Sequence, residues 1–262
     1  RYDYFPDVAK FVLRMPGTIH ETVIGGFESL VLEQLIDIRR GNNQVAADFA
    51  RRVRATRSAD IVTTDGGSHC PDGSFKHKDA RAACVVLEVS YSQKRTDLPF
   101  LADECILGSD GRTQVVIGID LEHRKNKGKE ARLIVWRPRF IEEDGRVVLE
   151  AAETETGIFR AVDGSLVNGE RILRIGLKDF GFWPDCLGID DISEEIAISF
   201  SQLYEIVQEA EAMKECIDRG KGEVNYLKRR RVRPPLKQLT EPDEKRFKAA
   251  EKEVERQLSD QD

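Results

Sequence analysis

The amino-acid sequence predicts an α/β protein with a mixed central sheet flanked by helices. Residues 18–40 repeat their apolar side chains with the period of an amphipathic helix. Two continuous apolar runs, 83–89 and 113–121, are typical of strands that are covered on both faces. A helix-length segment at 97–107 separates these two runs. Strands and helices in this order indicate a compact α/β layout.

The first helix has the clearest signals. Thr18 is predicted as its N-cap, with Glu21 three residues later as the partner in a capping box. Arg39 and Arg40 place positive charge in the last turn, where the helix dipole favours it, and Gly41 is expected to end the helix. The apolar positions on the predicted buried face are Ile24, Phe27, Val31, Leu35 and Ile38.

The shorter elements are predicted from turn dipeptides and local periodicity. Asp144-Gly145, Asp163-Gly164 and Asn168-Gly169 are typical of hairpin turns. Residues 131–136 are expected to pair antiparallel with the preceding strand. The remaining predicted elements are a short helix within 1–17, a polar helix over 42–56, short strands at 59–62 and 73–75, further hairpins over 137–178 and a helix over 193–219.

The chain is expected to divide into three regions. Residues 1–140 form the predicted core, 141–220 a β-rich and helical extension packed on it, and 221–262 a charged, exposed tail. The tail contains the basic block Lys228–Arg233, followed by Pro234-Pro235. Such a block is typical of a nuclear-localisation patch, a phosphate-contacting arm or a contact for a protein partner, and equally of a solvated charge run.

Composition excludes several classes of protein. The 262 residues carry a net charge of −6, so the bulk charge does not indicate a nucleic-acid-binding protein. No window approaches the ~18–20 consecutive apolar residues of a membrane span, and the first residues lack a signal-peptide pattern. Five cysteines without a close pair favour reduced thiols in a nuclear or cytoplasmic protein. His69-Cys70 and His77 lack a fourth ligand at the spacing of a structural zinc site.

Two carboxylates occupy positions that favour metal chemistry. Asp72 enters one predicted strand, and Glu88 follows five apolar residues near the end of the next. Adjacent strands can place both carboxylates at the same edge of a sheet. Carboxylate oxygens are the ligands that Mg²⁺ prefers, and such an ion can polarise a phosphodiester and activate water. Mn²⁺ is the alternative ion.

Each acidic residue also has a purely structural interpretation. Asp72-Gly73 is an ordinary turn dipeptide. Glu88 can be a salt-bridged strand end, although a carboxylate after an apolar run is costly to bury unless it is paired or bound to metal. Glu21 is fully explained as a capping-box partner.

The order of these motifs resembles the PD-(D/E)XK, or restriction-endonuclease-like, nuclease superfamily. Pro71-Asp72 is followed, after about fifteen residues, by an apolar strand that contains Glu88. The run Glu88–Lys94, followed by Leu101-Ala102-Asp103 and the strand Val115–Leu121, is similar to a group of uncharacterised fungal proteins of that superfamily, as is Arg14-Met15-Pro16 before His20-Glu21. The Glu-Val-x-Ser pattern is also similar to the Uma2-type branch. The resemblance covers roughly residues 14–140.

This resemblance implies a restriction-endonuclease-like core with an acidic metal site. Asp72 and Glu88 match the two motif acids, and Glu21 matches the helical carboxylate that often joins them, with Glu28 as a rival. Ser90 stands where the motif has lysine. The resemblance therefore leaves the ammonium group to Lys94, or less readily to Lys76 or Lys78, while Gln93 can hold a metal-bound water or contact the phosphate backbone.

The implied function is hydrolysis of DNA or RNA by a Mg²⁺- or Mn²⁺-dependent phosphodiesterase. Its catalytic residues would be Asp72, Glu88, Lys94 and Gln93. The alternative is a catalytically inactive nuclease-like fold that binds nucleic acid or protein, which Ser90 favours. A nuclease needs positive charge near its acids. The residues expected to supply it are Lys76, Lys78, Arg81, Lys94 and Arg95.

Overall fold

The computed structural model describes residues 2–5, 10–13, 16–64, 66–91, 97–121, 128–182, 186, 192–220 and 245–246. Residues 1–221 form one compact unit, and residues 222–262 form a second one. In the second unit only Lys245 and Arg246 are described, and they are helical. The basic block Lys228–Arg233 lies outside the described residues. None of the described helices is both long enough and apolar enough to cross a membrane.

The described residues of the first unit form four α-helices, one 3₁₀-helix (Leu177–Phe180) and twelve strands, which confirms the mixed α/β class. The helices are α1 (Thr18–Arg40), α2 (Gln44–Ala50), α3 (Asp97–Leu107) and α4 (Phe200–Gly220). The strands are β1 (Tyr2–Phe5), β2 (Lys10–Leu13), β3 (Val53–Ala55), β4 (Ile61–Val62), β5 (Ser68–His69), β6 (Gly73–His77), β7 (Val85–Ser90), β8 (Val115–Leu121), β9 (Ala131–Glu143), β10 (Arg146–Arg160), β11 (Ile172–Gly176) and β12 (Glu195–Ser199). The expected core boundary at residue 140 falls inside β9.

A six-stranded sheet with the order β10-β9-β8-β7-β6-β3 lies at the centre of the first unit. β7 and β8 are parallel, whereas every other neighbouring pair in this sheet is antiparallel. The mixed central sheet and the β8–β9 hairpin predicted from sequence are thereby confirmed. The other strands form a four-stranded sheet, β2-β1-β5-β4, and the pair β11-β12.

Side chains on β7 alternate between two cores, one on each face of the central sheet. Leu87 and Val89 join the larger core with the buried face of α1. Val86 joins the smaller core with the buried face of α3. Glu88 follows Val86 by two residues, so its carboxylate enters the side of the sheet that α3 covers. All six residues of β7 are buried.

Two predictions about helix ends are wrong. α1 begins after Gly17, which has no side chain to cap it, so Thr18 is the first helical residue and the predicted capping box is not formed. The second helix ends at Ala50 instead of continuing to 56. Residues 53–55 instead extend and pair with β6, which gives their backbone groups hydrogen-bond partners in the sheet.

Two segments predicted as helical contain strands. Residues 2–5 and 10–13 form the antiparallel pair β1–β2 in place of a helix within 1–17. The predicted helix over 193–219 starts only at Phe200, because the preceding residues form β12. Ile196 and Ile198 alternate on β12 and are fully buried, a period-2 pattern that runs directly into the helical period of α4.

The tight turn between β9 and β10 was correctly predicted. Asp144 and Gly145 have φ values of 50° and 73°, and the flanking residues Glu143 and Arg146 pair with each other. Positive φ at both central residues is the geometry of a type I′ turn, which matches the twist of the two strands. Asp and Gly are among the residues that adopt this geometry at low cost.

Gly25 and Gly26 offer a matched test of the packing between α1 and α4. A Cβ atom at Gly26 would lie 2.8 Å from Cγ2 of Ile206 on α4, whereas a Cβ atom at Gly25 would have no neighbour within 4 Å. Gly25→Ala is expected to raise the free energy of unfolding by up to about 1 kcal/mol through helix propensity. Gly26→Ala gains the same propensity but overpacks the contact, at a cost of about 1–3 kcal/mol. Urea denaturation measures both, and equal stabilisation would contradict the close approach.

Candidate functional site

Asp72 lies immediately before β6 and is held by two partners. Gly73 pairs with Leu87, so one step further along the antiparallel register places Asp72 beside Glu88. Asp72 is 2% exposed, and its Oδ2 accepts a hydrogen bond from the backbone N–H of Val89 at 2.9 Å. The same oxygen lies 3.0 Å from Nε2 of His20 on α1. Beyond its place in a turn, Asp72 therefore connects β7 to α1.

His20 links Asp72 to the predicted helical carboxylate. Its Nδ1 lies 3.4 Å from Oε1 of Glu21, whose side chain is half exposed. Since a carboxylate only accepts hydrogen bonds, the contact with Asp72 places a proton on Nε2 of His20. Glu21 and Asp72 thus lie beside different nitrogen atoms of the same imidazole ring. Glu28, the rival carboxylate, instead pairs with Arg57, whose Nε lies 3.4 Å from Glu28 Oε1.

Glu88 forms a separate buried network with a second histidine. Glu88 and His69 are each 1% exposed, and Nε2 of His69 lies 2.8 Å from Oε1 of Glu88. On the other side of the ring, Nδ1 lies 2.7 Å from Oδ1 of Asp3 on β1. Asp3 is positioned by the β1–β5 register, which places it opposite His69, and it also accepts the backbone N–H of Cys70 at 3.1 Å. His69 is therefore enclosed by two buried carboxylates.

This arrangement shifts the charge state of His69. Burial by itself lowers the pKa of His69, but the negative charges of Cys105 and Glu88 and the contact with Asp3 raise it more. The resulting pKa lies well above the ordinary value of 6.5. In the metal-free chain, a protonated His69 thus supplies the positive charge that buried Glu88 requires.

Cys105 on α3 completes a compact group with His69 and Glu88. The ligating atoms of these three side chains all lie within 4.8 Å of one another, and no other set of three or more His, Cys, Asp or Glu side chains among the described residues meets this distance. The sequence interpretation had instead grouped His69 with Cys70 and His77. In the structure, His77 stacks on Phe49 and its Nδ1 lies 3.4 Å from Sγ of Cys186.

The predicted Mg²⁺ ligands Glu21, Asp72 and Glu88 have histidine neighbours. Asp72 and Glu88 each contact an imidazole nitrogen, and the three carboxylates do not converge as a ligand set among the described residues. Mg²⁺ prefers an octahedral shell of oxygen atoms, whereas imidazole and thiolate suit zinc and related transition metals. The Mg²⁺ site therefore stays a prediction, and the donor atoms in this geometry fit a different class of ion.

The other predicted site residues are spread over several parts of the fold, and some lie outside the described residues. Ser90 is buried at the end of β7, in register with Asp120 on β8. Gln93 and Lys94 lie outside the described residues, as does Arg95 of the expected positive groove. Lys76 and Arg81 both line a cavity of about 220 Å³ that also contains Asp60. Lys78 is exposed beside Asp79.

A cavity of about 310 Å³ opens where β7 and β8 end. Tyr91, which follows β7, lines it together with Leu121, the last residue of β8. Buried Arg160 lies in its wall, where Nη1 donates to Glu211 Oε1 at 2.8 Å. The remaining lining residues are Ile19, Lys129, Val207, Lys214, Glu215 and Asp218. In α/β sheets, the carboxyl ends of parallel strands are where ligands bind.

Sequence reasoning identified both acids but missed their partners. His20 stands next to Glu21 in the sequence, at the start of α1. In the structure its side chain is buried enough to contact Asp72. Cys105 gave no local signal, because it stands among apolar residues on the buried face of α3. No protein-family model matches the chain, and no curated protein matches it.

His69 and His77 are expected to give the stability of the metal-free protein opposite pH dependences. Folding raises the pKa of His69, so its stabilising contribution is complete below pH 6.5 and is lost as the pH rises through the folded pKa. Folding lowers the pKa of His77, mainly through burial, so its contribution is present above pH 6.5 and is lost as the pH falls through the folded pKa.

Urea denaturation in EDTA at a series of pH values measures this difference. His69→Gln is expected to reduce the decline in unfolding free energy on the alkaline side. His77→Gln is the matched control, since it should instead alter the acidic side. If His69→Gln left the alkaline slope unchanged, the buried His69–Glu88 ion pair would be contradicted.

Proposed function

We propose that the protein is a metal-dependent phosphodiesterase that hydrolyses DNA or RNA on a restriction-endonuclease-like core. The main support is the pair of buried acids, one immediately before β6 and one on β7. Asp72 and Glu88 are 2% and 1% exposed, and Asp72 is bonded to the backbone of Val89, the residue after Glu88. Charged residues are seldom fully buried unless they are paired, and acids with perturbed surroundings concentrate at functional sites, which favours a functional role for these two.

The surrounding architecture is consistent with this proposal. Helices α1 and α3 cover the two faces of a mixed central sheet, as the resemblance to the superfamily implies. Glu88 lies on β7, whose backbone is held between β6 and β8, and Asp72 lies immediately before β6. Such a rigid support keeps reacting groups in a fixed geometry, which is the main requirement of phosphoryl transfer.

Asp72 and His20 form a hydrogen-bonded pair beside the proposed site, in which Asp72 Oδ2 accepts the proton on Nε2 of His20. In hydrolysis, the water oxygen would bond to phosphorus while the phosphorus–oxygen bond of the ester breaks. The water would lose its proton to solvent, and the leaving oxygen would take up a proton from solvent. A divalent ion, when bound at the acids, would neutralise phosphoryl charge and lower the pKa of that water.

Basic residues near the end of β7 can orient the phosphate backbone. Lys129 and Lys214 line the 310 Å³ cavity that Tyr91 shares, three residues after Glu88. Both lysines lie near acidic side chains. Lys129 Nζ is 3.3 Å from Oε2 of Glu211, which lies on α4. A nucleic-acid phosphate that enters the cavity would exchange these carboxylate partners for its own oxygens.

Ser90 supports a second candidate function, a nuclease-like fold that binds nucleic acid without cleaving it. Ser90 is 1% exposed at the position where the motif has lysine, so it supplies no charge to the site. Lys94, the residue expected to supply an ammonium group, lies outside the described residues. An inactive binding module would keep the cavity with its lysines and lose only the chemistry.

Replacement of either acid is expected to abolish hydrolysis. Asp72→Asn and Glu88→Gln keep the size of each side chain but remove the negative charge, so cleavage of labelled single- and double-stranded DNA and RNA in Mn²⁺ or Mg²⁺ should fall by at least ~100-fold. Asp179→Asn is the matched control. Asp179 is also a buried carboxylate, but it pairs with Arg137 away from the site.

Fluorescence anisotropy with the same labelled strands distinguishes the two candidate functions. A nuclease predicts cleavage by the wild type and binding, without cleavage, by the two acid variants. Binding without cleavage by every form, in either ion, would support the inactive module and contradict the enzyme. Cleavage that persists in both acid variants would place the chemistry elsewhere.

A further inference from the structure

The group of His69, Glu88 and Cys105 contains one nitrogen, one oxygen and one sulfur ligand. His69 comes from β5, Glu88 from β7 and Cys105 from α3. Their ligating atoms lie within 4.8 Å of one another, and the side chains are 1%, 1% and 0% exposed. Three chemically different ligating groups meet here in the interior, whereas apolar residues would fill this space at lower cost.

We propose that His69, Glu88 and Cys105 form a binding site for a zinc-class transition-metal ion. Zinc accepts imidazole nitrogen, carboxylate oxygen and thiolate sulfur, often in one site. Thiolate ligation excludes Mg²⁺ and Ca²⁺ and selects softer ions. Three protein ligands leave the fourth position of a tetrahedral ion for a non-protein ligand.

Asp3 has the position of a supporting residue for this site. Its Oδ1 lies 2.7 Å from Nδ1 of His69, on the opposite side of the ring from Glu88. A metal-bound histidine commonly directs its second nitrogen to a carboxylate, which fixes the ring orientation and the tautomer. Asp3 would therefore keep the proton on Nδ1 and leave Nε2 for the metal.

Binding of a divalent ion to these three side chains would exchange protons for the metal. The ion would bond to Nε2 of His69, a carboxylate oxygen of Glu88 and Sγ of Cys105, and any protons that Nε2 and Sγ carry would be released to solvent. The charge of the ion would then balance the thiolate and Glu88, while Asp3 stays beside Nδ1 of His69.

This site shares Glu88 with the proposed phosphodiesterase but does not depend on that function. Cys105 approaches Glu88 from α3, whereas Asp72 is held by α1 through His20. Variants of Cys105 and Asp72 therefore separate the two proposals. Loss of the sulfur ligand tests the metal site alone, and loss of the Asp72 charge tests hydrolysis alone.

Titration of the full chain with Co²⁺, after EDTA treatment and under reducing conditions, tests the site. Cobalt replaces zinc in such sites and gives a charge-transfer absorption only when a thiolate binds it. We expect a single Co²⁺ per chain with this absorption, which Zn²⁺ abolishes by displacement. Zn²⁺ should also raise the melting temperature. The exposed Cys216 is replaced by serine in every sample, because a surface thiol can bind cobalt.

Three variants identify the ligands. Cys105→Ser should remove the charge-transfer absorption. Cys186→Ser is its matched control, since Cys186 is also buried beside a histidine, His77, and should leave the spectrum unchanged. Asp3→Asn should keep the absorption but weaken Co²⁺ binding by about 10- to 100-fold, as expected for a supporting residue.

Several outcomes would overturn the proposal. Co²⁺ binding without a thiolate absorption, an unchanged spectrum in Cys105→Ser, or no binding at millimolar metal would each do so. If Cys105→Ser fails to fold, His69→Gln serves as the second ligand variant and must also shift the cobalt spectrum. Asp72→Asn should retain the spectrum, so a loss of cleavage in that variant leaves the metal site intact as a separate result.

Discussion

The compensation of charge on Glu88 is the constraint on which the centre of this structure depends. β7 is buried along its whole length, and a carboxylate in such surroundings is stable only beside a positive charge. His69 on β5 supplies that charge, and Asp3 on β1 contacts the other nitrogen of the His69 ring. The four-stranded sheet is thus joined to the central sheet through one ion pair, in addition to its apolar contacts.

Asp72 repeats this arrangement on the side of α1. Its carboxylate bonds to the backbone of β7 and to His20, so the first turn of α1 is positioned relative to the central strand. The two acids are neighbours in the backbone, yet each has its own histidine. The two acids therefore belong to two separate sets of contacts, the His20–Asp72 pair at α1 and the buried cluster of His69, Glu88 and Cys105.

The sequence was sufficient to predict the elements that have one uninterrupted pattern of apolar residues. α1, α3, β7 and β8 have long runs with a single period, and their positions were predicted to within a few residues. The N-terminal strands and β12 were missed because their short period-2 patterns run into polar or helical neighbours. Glu88 could be singled out because a charge in an apolar run is conspicuous. Cys105 could not be, because a buried thiol on a helix resembles any small apolar residue.

The sequence alone also could not show which residues, distant along the chain, become contact partners in the fold. His69 was grouped with Cys70 and His77, its neighbours along the chain, whereas the fold joins it to Asp3, Glu88 and Cys105. These contacts depend on which strands become adjacent. No spacing rule for a short motif covers them, since each ligand lies on a different element.

The cluster and its supporting residue Asp3 are assembled from β1, β5, β7 and α3, and this has a consequence for the folding of the chain. Contacts between distant segments form only after the intervening loops have closed, so the cluster belongs to the late, non-local part of folding. A chain still being synthesised, with α3 not yet available, would contain the acid and its histidine but lack the thiol. The interior of the protein therefore acquires its full set of polar partners only when α3 packs against β7.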